Sequence, residues 1–506
     1  MNFLKLKHFI LYFAVAISFV FPEKTFAQQT IELNLESAVD IALNNSYQVR
    51  QLQLGIERTR KWLEAQRADL KSRIYLNLTA PDIKQISDYK WNSTLEREVL
   101  VRQNTRRWQA NLALRQPVVL FGYPTNGYLS LNNQMYRYTQ IGDTDSDESD
   151  ITYYNRYFLK FEQPFFQPNR LKNDLEDASL DLEYRELQYL QDLVRIIDRV
   201  SDDYYDLFRM GYRSEIFRRN VGNLEELSEI ANQLAEQDTS RNIEAIQVQV
   251  ELANMQERMS QNQSDYRLQA SRLKQRLRLD ESDSLAINPE INLQKITVNE
   301  EAAVDYGYNL RPRLRLQGIN KRRNEIDLDN TTGWNAFRVN LEMTYGLEKQ
   351  DPDYANLWQD QDNSYSVGLN AYVPLVDWGQ RKARIEAQEI SLEISELHIE
   401  ESETLIKSEI RNSIANLQEY QDRALNMQEN MRMAMEITTI SLDQYADGRI
   451  SLQDILQTIS RQRETELNFL DAYLGYRRSL IRLMGNTYYD FENGRPLVKM
   501  FDEQLN

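Results

Sequence analysis

The chain has 506 residues, a formal net charge of −17 and no cysteine. Such acidity repels phosphates and argues against a nucleic-acid partner; without cysteine there is no disulfide and no thiol to carry a lipid anchor. With 27% charged residues and a mean hydropathy of −0.65 it is no helical membrane protein, although the alternating strands of a β-barrel would leave only a weak trace in hydropathy.

Lys5 and Lys7 precede an apolar run over 9–21, and Thr25, Phe26 and Ala27 make a small-x-small site before Gln28. The apolar run is too short to span a bilayer. This pattern predicts a secretory signal peptide over residues 1–27.

Beyond it the sequence is written twice. Glu36, Ala38, Val39, Asp40, Asn44, Arg50 and Arg58 recur as Glu301, Ala303, Val304, Asp305, Asn309, Arg315 and Arg323, at an offset of 265. Further on, Pro164, Lys172, Glu176, Leu182, Leu187 and Leu207 recur as Pro374, Lys382, Glu386, Leu392, Leu397 and Leu417, at an offset of 210. The first copy therefore holds 265 − 210 = 55 residues more than the second, within about 81–154. The expected division is a first repeat over 28–285, a second over 286–490 and a tail over 491–506.

Each copy opens with a helical stripe, in the first Leu35, Val39, Leu43, Val49, Leu52 and Ile56. Pro312 predicts a break in the second stripe, and Ser46-Tyr47 marks the equivalent position in the first.

Strands follow. Ile74, Leu76, Leu78 and Ala80 alternate with polar neighbours over about 73–80. Tyr157, Leu159 and Phe161 share one face over about 155–165. The second copy repeats this over about 336–347 and 364–375, where Val339, Leu341 and Met343 face one way and Tyr365, Val367 and Leu369 do likewise. The surplus segment carries two more alternating runs, over 108–119 and 128–138, which read as an added hairpin. Either a wider barrel or a loop above it would accommodate that hairpin. An ordinary half-buried sheet alternates in the same way, so the period alone does not place these strands in lipid.

The longest elements come next, over about 169–235 and 380–445, with no proline and almost no glycine. About 65 helical residues at ~1.5 Å each reach on the order of 100 Å. Leu193, Ile197, Val200, Tyr204 and Leu207 step by four and three, as coiled-coil seams do, and Ile410, Ile414 and Leu417 repeat the latter part. Each rod ends in a polar turn, over 236–241 and 447–451, and a helix returns from it. Gly448 suits a left-handed residue after a helix, and Ser451 with Asp454 has the form of a capping box.

Three local signatures carry a resemblance: LESAVDIAL at 35–43, VPLVDWGQR at 373–381 and YADGRISLQDIL at 445–456. With the order of elements and the duplication, the chain resembles the TolC-type outer-membrane efflux proteins. The resemblance implies a mainly α protein with membrane β: a long periplasmic α-helical coiled-coil barrel and a trimeric transmembrane β-barrel, to which each chain usually gives four strands. It implies a homotrimer in the outer membrane of a Gram-negative bacterium, in contact with lipid and extending into the periplasm. There it would dock a periplasmic adaptor protein and an inner-membrane transporter.

It also implies functional positions. Asp454 matches an acidic residue at the periplasmic entrance, and Gln457 stands where a second acid is expected. Asp454 as a simple helix cap is an equally good reading. Asp238, Ser240 and Arg241 in the first turn, with Gly448, Arg449 and Ser451 in the second, are candidates for adaptor docking and for holding a closed tip. For the glycine, turn geometry is sufficient; for the arginines, a solvated surface is.

No catalytic constellation emerges. His8 lies in the signal and His398 stands alone on a helix. No metal-ligand spacing, phosphate-cradling loop or nucleophile elbow is present, so no cofactor is expected. The sequence thus reads as a passive exit duct of a tripartite efflux or type I secretion system. A soluble periplasmic coiled-coil adaptor or scaffold is the alternative.

Overall fold

The computed structural model describes residues 30–141, 150–280 and 282–497. The expected signal peptide and the part of the expected tail beyond residue 497 lie outside the described residues. In chain order, β1 (Thr30–Glu32) leads to α1 (Leu35–Asn45) and α2 (Tyr47–Ala68). Four strands follow: β2 (Arg73–Asn92), β3 (Arg97–Leu120), β4 (Tyr123–Ile141) and β5 (Asp150–Phe165). Then come α3 (Arg170–Gln237), α4 (Asn242–Leu277) and β6 (Ser284–Ala286). The second repeat supplies α5 (Glu300–Asn309), α6 (Arg313–Thr332), β7 (Arg338–Asp351) and β8 (Asp362–Tyr372). It ends with α7 (Gln380–Ala446), α8 (Leu452–Thr487), β9 (Tyr489–Asp490) and β10 (Arg495–Pro496).

The breaks fall where the sequence places them. Ser46 stands between α1 and α2 in extended backbone and its Oγ accepts from Val49 N; Pro312 caps α6. Both rods are single helices, of 68 and 67 residues. Arg73 and Arg338, the first residues of β2 and β7, stand at the 265-residue offset of the repeat.

The chain folds as two compact units, and neither of them is one repeat. Each is built from corresponding stretches of both. Among the described residues, one comprises 52–191 and 311–407, the other 30–51, 192–310 and 408–497.

The first unit holds the large sheet, whose order is β2-β3-β4-β5-β7-β8, antiparallel at every pairing. In the first repeat the alternating runs read from the sequence are parts of longer strands: 73–80 opens the 20-residue β2, and 108–119 is the helix-side half of the 24-residue β3. The run over 128–138 is the middle of the 19-residue β4, and 155–165 ends the 16-residue β5. Pro117, which has no N–H for the ladder, sits at a register shift in β3, where a strand tolerates it. Beside the sheet, α3 and α6 are joined by charge. Arg322 pairs with Glu176 (2.6 Å), Arg323 with Asp177 and Asp181 (3.0 and 3.1 Å), and Arg315 with Glu183 (2.5 Å). Lys321 reaches Glu396 on α7 at 2.9 Å. With apolar residues sparse on α6, these pairs set which face of it meets α3.

The second unit is a helical layer around the expected seam. Leu193, Ile197, Val200, Tyr204 and Leu207 of α3 are buried, and so are Ile410, Ile414 and Leu417 of α7. Ile455, Ile459, Phe469 and Leu483 of α8 and Val248, Met255 and Leu273 of α4 complete the core. The strands β1 and β6 pair in parallel at its side. A charged pair is set into this apolar layer: Glu466 of α8 is wholly buried and is held by Arg219 of α3 and by Gln462 Nε2 at 2.8 Å.

Candidate functional site

Two regions carry the features that a duct would need, and each is built within one unit. The first is the sheet. Its backbone registers bring one residue from every strand into a single row: Ile74, Leu114, Leu131, Leu159, Tyr345 and Tyr365. Two residues further along each strand lies a neighbouring row with Leu129, Phe161, Met343 and Val367. Ile74 is 73% exposed, Leu78 70% and Leu369 68%. So large an apolar face cannot stand in water unless something apolar covers it.

Aromatic residues bracket this face. At the end away from the helices Tyr153 meets Tyr354 at 5.6 Å and Tyr157 meets Trp358 at 5.9 Å. At the helix end Phe121, Tyr123, Phe165, Phe166 and Phe337 are exposed, with Phe166 and Phe337 5.5 Å apart. Phe165 and Tyr153 are twelve residues apart on β5. At about 3.4 Å per residue and a tilt of roughly 40° that separation is about 30 Å, the thickness of a hydrocarbon core.

The opposite face is mostly polar, with Ala113 and Phe158 among the apolar residues on it. One row there is Asn77, Asn111, Gln134, Arg156, Glu348 and Asp362; another is Arg73, Arg115, Ser130, Lys160, Thr344 and Ser366. Lys160 bridges Glu162 (2.5 Å) and Glu342 (3.0 Å), and Arg156 lies 3.4 Å from Glu348, whose carboxylate also accepts from the Tyr154 hydroxyl at 2.6 Å. Arg115 and Arg107 lie over the Tyr128 and Tyr136 rings. Lys160, Arg156 and Arg115 have acidic partners on this face and Arg107 lies against an aromatic ring, so the face suits water.

The second region is the pair of helix turns in the other unit. Gly448 has φ +71°, its N–H bonds Tyr445 O and the Arg449 N–H bonds Gln444 O, a Schellman ending for α7. Arg449 pairs with Asp447 at 3.2 Å in the open. Ser451 is the N-cap of α8: its Oγ accepts from Asp454 N at 3.2 Å, and Asp454 Oδ2 accepts from Ser451 N at 3.1 Å and from Ser451 Oγ at 2.7 Å. The hydroxyl bond, then the amide bond, holds the Asp454 carboxyl below the usual range. Asp454 thus does cap its helix. Gln457 is exposed one turn further along α8.

In the first-repeat turn Asp238 Oδ1 accepts from Ser240 N at 3.0 Å, and Ser240 holds that carboxyl low as well. Arg241 turns toward the second repeat: it lies 3.2 Å from Glu244 and over the Tyr445 ring at 5.7 Å. Tyr445 Oη donates to the same Glu244 at 2.9 Å. The turns are thereby linked through Glu244 and Tyr445, two residues that sequence reasoning did not single out. They are 201 positions apart, so no local spacing signals the contact. The Arg219–Glu466 pair was hidden for the same reason.

Among the described residues no group of three or more His, Cys, Asp or Glu is placed to hold a metal ion, and no helix is long and apolar enough to cross a membrane.

A family described as outer membrane efflux protein matches residues 338–486, from the start of β7 almost to the end of α8. No curated protein sequence matches the chain. Among solved structures it is similar to the outer-membrane channel OprN, with 16% identity, a TM-score of 0.65 and coverage of 90% of this chain and 89% of that one. It is similar also to the Campylobacter jejuni CmeC outer membrane channel, with 13% identity, 93% and 89% coverage and a TM-score of 0.65. The outer membrane protein VceC of Vibrio cholerae gives 12% identity, 90% and 97% coverage and a TM-score of 0.64. At these identities the likeness is one of fold: the chain has the internally duplicated, mainly helical architecture of these channels, with the β-domain they share.

Proposed function

We propose that this chain, whose second repeat matches the outer membrane efflux protein family and 90% of whose length matches the channel fold, is the outer-membrane exit duct of a tripartite efflux or type I secretion system. It performs no chemistry; energy comes from an inner-membrane transporter, reached through a periplasmic adaptor protein. The observation that carries the reading is the two-faced sheet. One face is apolar across six strands and bracketed by aromatics, the other is mostly polar and carries ion pairs. Lipid outside and water inside satisfy both faces at once.

A sheet with two open edges cannot face lipid alone, because its edge amides would have no partners there. Closure with further copies is therefore part of the proposal, and three copies is the number the resemblance implies. In that trimer residues 1–27 are a cleaved signal, 28–285 and 286–490 are the two similar staves, and 491–506 is a tail. Asp238, Ser240, Arg241, Gly448, Arg449 and Ser451 would form the docking tip, and Asp454 with Gln457 would lie at the periplasmic entrance.

A soluble adaptor would also need long helices, but it has no use for so large an exposed apolar sheet face. Fractionation and projection imaging test the choice. A protein that needs detergent for extraction and then appears as a threefold tube supports the duct. Release by osmotic shock without detergent, or a monomer in projection, would overturn it.

A further inference from the structure

We propose that each chain places six strands in the membrane wall rather than four, so that three copies close an eighteen-stranded barrel; this rests on the channel reading above. The extra pair is β3 and β4, the strands that account for the 55-residue surplus of the first repeat. A decorating loop would leave the outer end of the sheet, turn above it and come back. The observed path is the reverse. From the outer end of β2 the chain returns along its whole length as β3 and turns at Phe121-Gly122 on the helix side. It then climbs again as β4. That turn presents Phe121, fully exposed, beside Tyr123, at the same end as Phe165 and Phe337.

The faces agree with the path. In β3 and β4, Leu112, Leu114, Leu129 and Leu131 fall on the apolar face, in rows shared with Leu76, Ile74, Phe161 and Leu159. On the other face Asn111 and Gln134 continue the polar row from Asn77 to Arg156. A hairpin wet on both sides would have no use for this division.

The edges also permit closure. Strand direction alternates from β2 to β8, so β8 of one copy meets β2 of the next antiparallel, as every other pair in the sheet is. The row through Ile74 and Tyr365 starts one residue from the helix-side end of β2 and finishes seven from that of β8. It therefore climbs six residues over the five pairings from β2 to β8. A shear of a little over one residue per strand gives a tilt of about 40°, within the range of outer-membrane barrels. Because diameter grows roughly in proportion to strand number, the wall would be about half as wide again as one with four strands per chain.

The absence of native cysteine makes the test direct. In the full-length protein in outer-membrane vesicles, Leu112→Cys and Leu131→Cys should lose labelling by a membrane-impermeant maleimide and react with a lipid-soluble one. Asn111→Cys and Gln134→Cys should label from water. Leu159→Cys and Val367→Cys, on strands common to both repeats, are the references, and only variants recovered in the outer-membrane fraction are compared. If the references are protected while Leu112→Cys and Leu131→Cys label as readily as Asn111→Cys, the six-strand wall is overturned and the channel reading survives. Free aqueous labelling of the references would instead remove the channel reading itself.

Discussion

The hydroxyl of Tyr445, at the end of α7, donates a 2.9 Å hydrogen bond to Glu244 in the first turn of α4, and so fastens the second-repeat turn to the first. Burial, then the bond to Glu244, pushes the phenol up to about 12. The donor form is therefore the one the fold favours: its contribution is complete below the ordinary tyrosine range near 10 and is lost only as pH rises through about 12. Tyr445→Phe keeps the ring and removes the donor. A bond to a charged acceptor that keeps some access to water is worth about 1–2 kcal/mol. Faster amide exchange across the turns at 236–250 and 440–452, together with a higher open probability in planar bilayers, is expected. Unchanged exchange and gating would show that the link is incidental.

Asp454 has two possible duties that a single substitution separates. Its carboxylate completes the capping box with Ser451. Glutamine serves at the same position of such boxes, so Asp454→Gln keeps the acceptor and removes the charge. If three Asp454 carboxylates meet near a pore axis, Asp454→Gln abolishes block by multivalent cations while the start of α8 exchanges as before. If capping is the whole role, block is unaltered. Ser451→Ala is the converse probe: it should cost about 1 kcal/mol at the helix start and leave cation block in place.

The sequence could show periodicity and repetition, because both are local. The rods, the breaks at Ser46 and Pro312 and the capping box at Ser451 all follow from residues within a turn or two of one another. The apolar rows were half visible: alternation marked Leu112 and Leu131 as strand residues but could not say which strands they would join. That is decided by pairings such as Leu114 with Leu131, which depend on the path of the hairpin. Contacts between repeats were invisible. Arg219 and Glu466, or Arg241 and Tyr445, are joined by the folding of one repeat on the other, and neither partner has a neighbour in sequence that announces it.

The buried pair gives a stability prediction. Glu466 is wholly enclosed whereas Arg219 keeps access to solvent, so removing the arginine strands a carboxylate among apolar helices. Arg219→Met should destabilise the helical unit by about 2–4 kcal/mol, because the loss of one partner leaves the other uncompensated. Replacing both, as Arg219→Met with Glu466→Leu, should recover most of that. Thermal unfolding followed by circular dichroism measures the difference; equal losses in the single and double variants would mean the pair adds no more than its packing.

Acid should act late. The Arg322 hydrogen bond, against some desolvation, lowers the Glu176 carboxyl, and the Ser451 bonds lower that of Asp454. A depressed carboxyl contributes stability above its unfolded value and loses it only as pH falls through the folded one. Between pH 7 and 5 the α3–α6 contact and the start of α8 should be unaffected, with loosening setting in below about pH 4. Amide exchange across a pH series, corrected for the intrinsic rate, reads this. Loosening that began near pH 6 would assign the change to other groups.

Where β5 of the first repeat meets β7 of the second, Gly346 lies opposite Phe158. A Cβ there would come within 2.3 Å of the Tyr157 carbonyl oxygen and 2.7 Å of the Phe158 Cβ. The obstruction is partly backbone, so no rotamer change relieves it. This pairing is the one ladder of the sheet that joins strands of the two repeats. Gly346→Ala should therefore separate β5 from β7 locally, at about 1–3 kcal/mol as overpacking costs elsewhere. Gly368→Ala on β8 is the control, since its added Cβ would meet nothing closer than 3.9 Å. The expected outcome is a lower yield of Gly346→Ala in the outer membrane and a lower temperature of dissociation for what is assembled, with Gly368→Ala close to the parent. Equal behaviour of the two variants would mean that β5 and β7 yield at this point without loss.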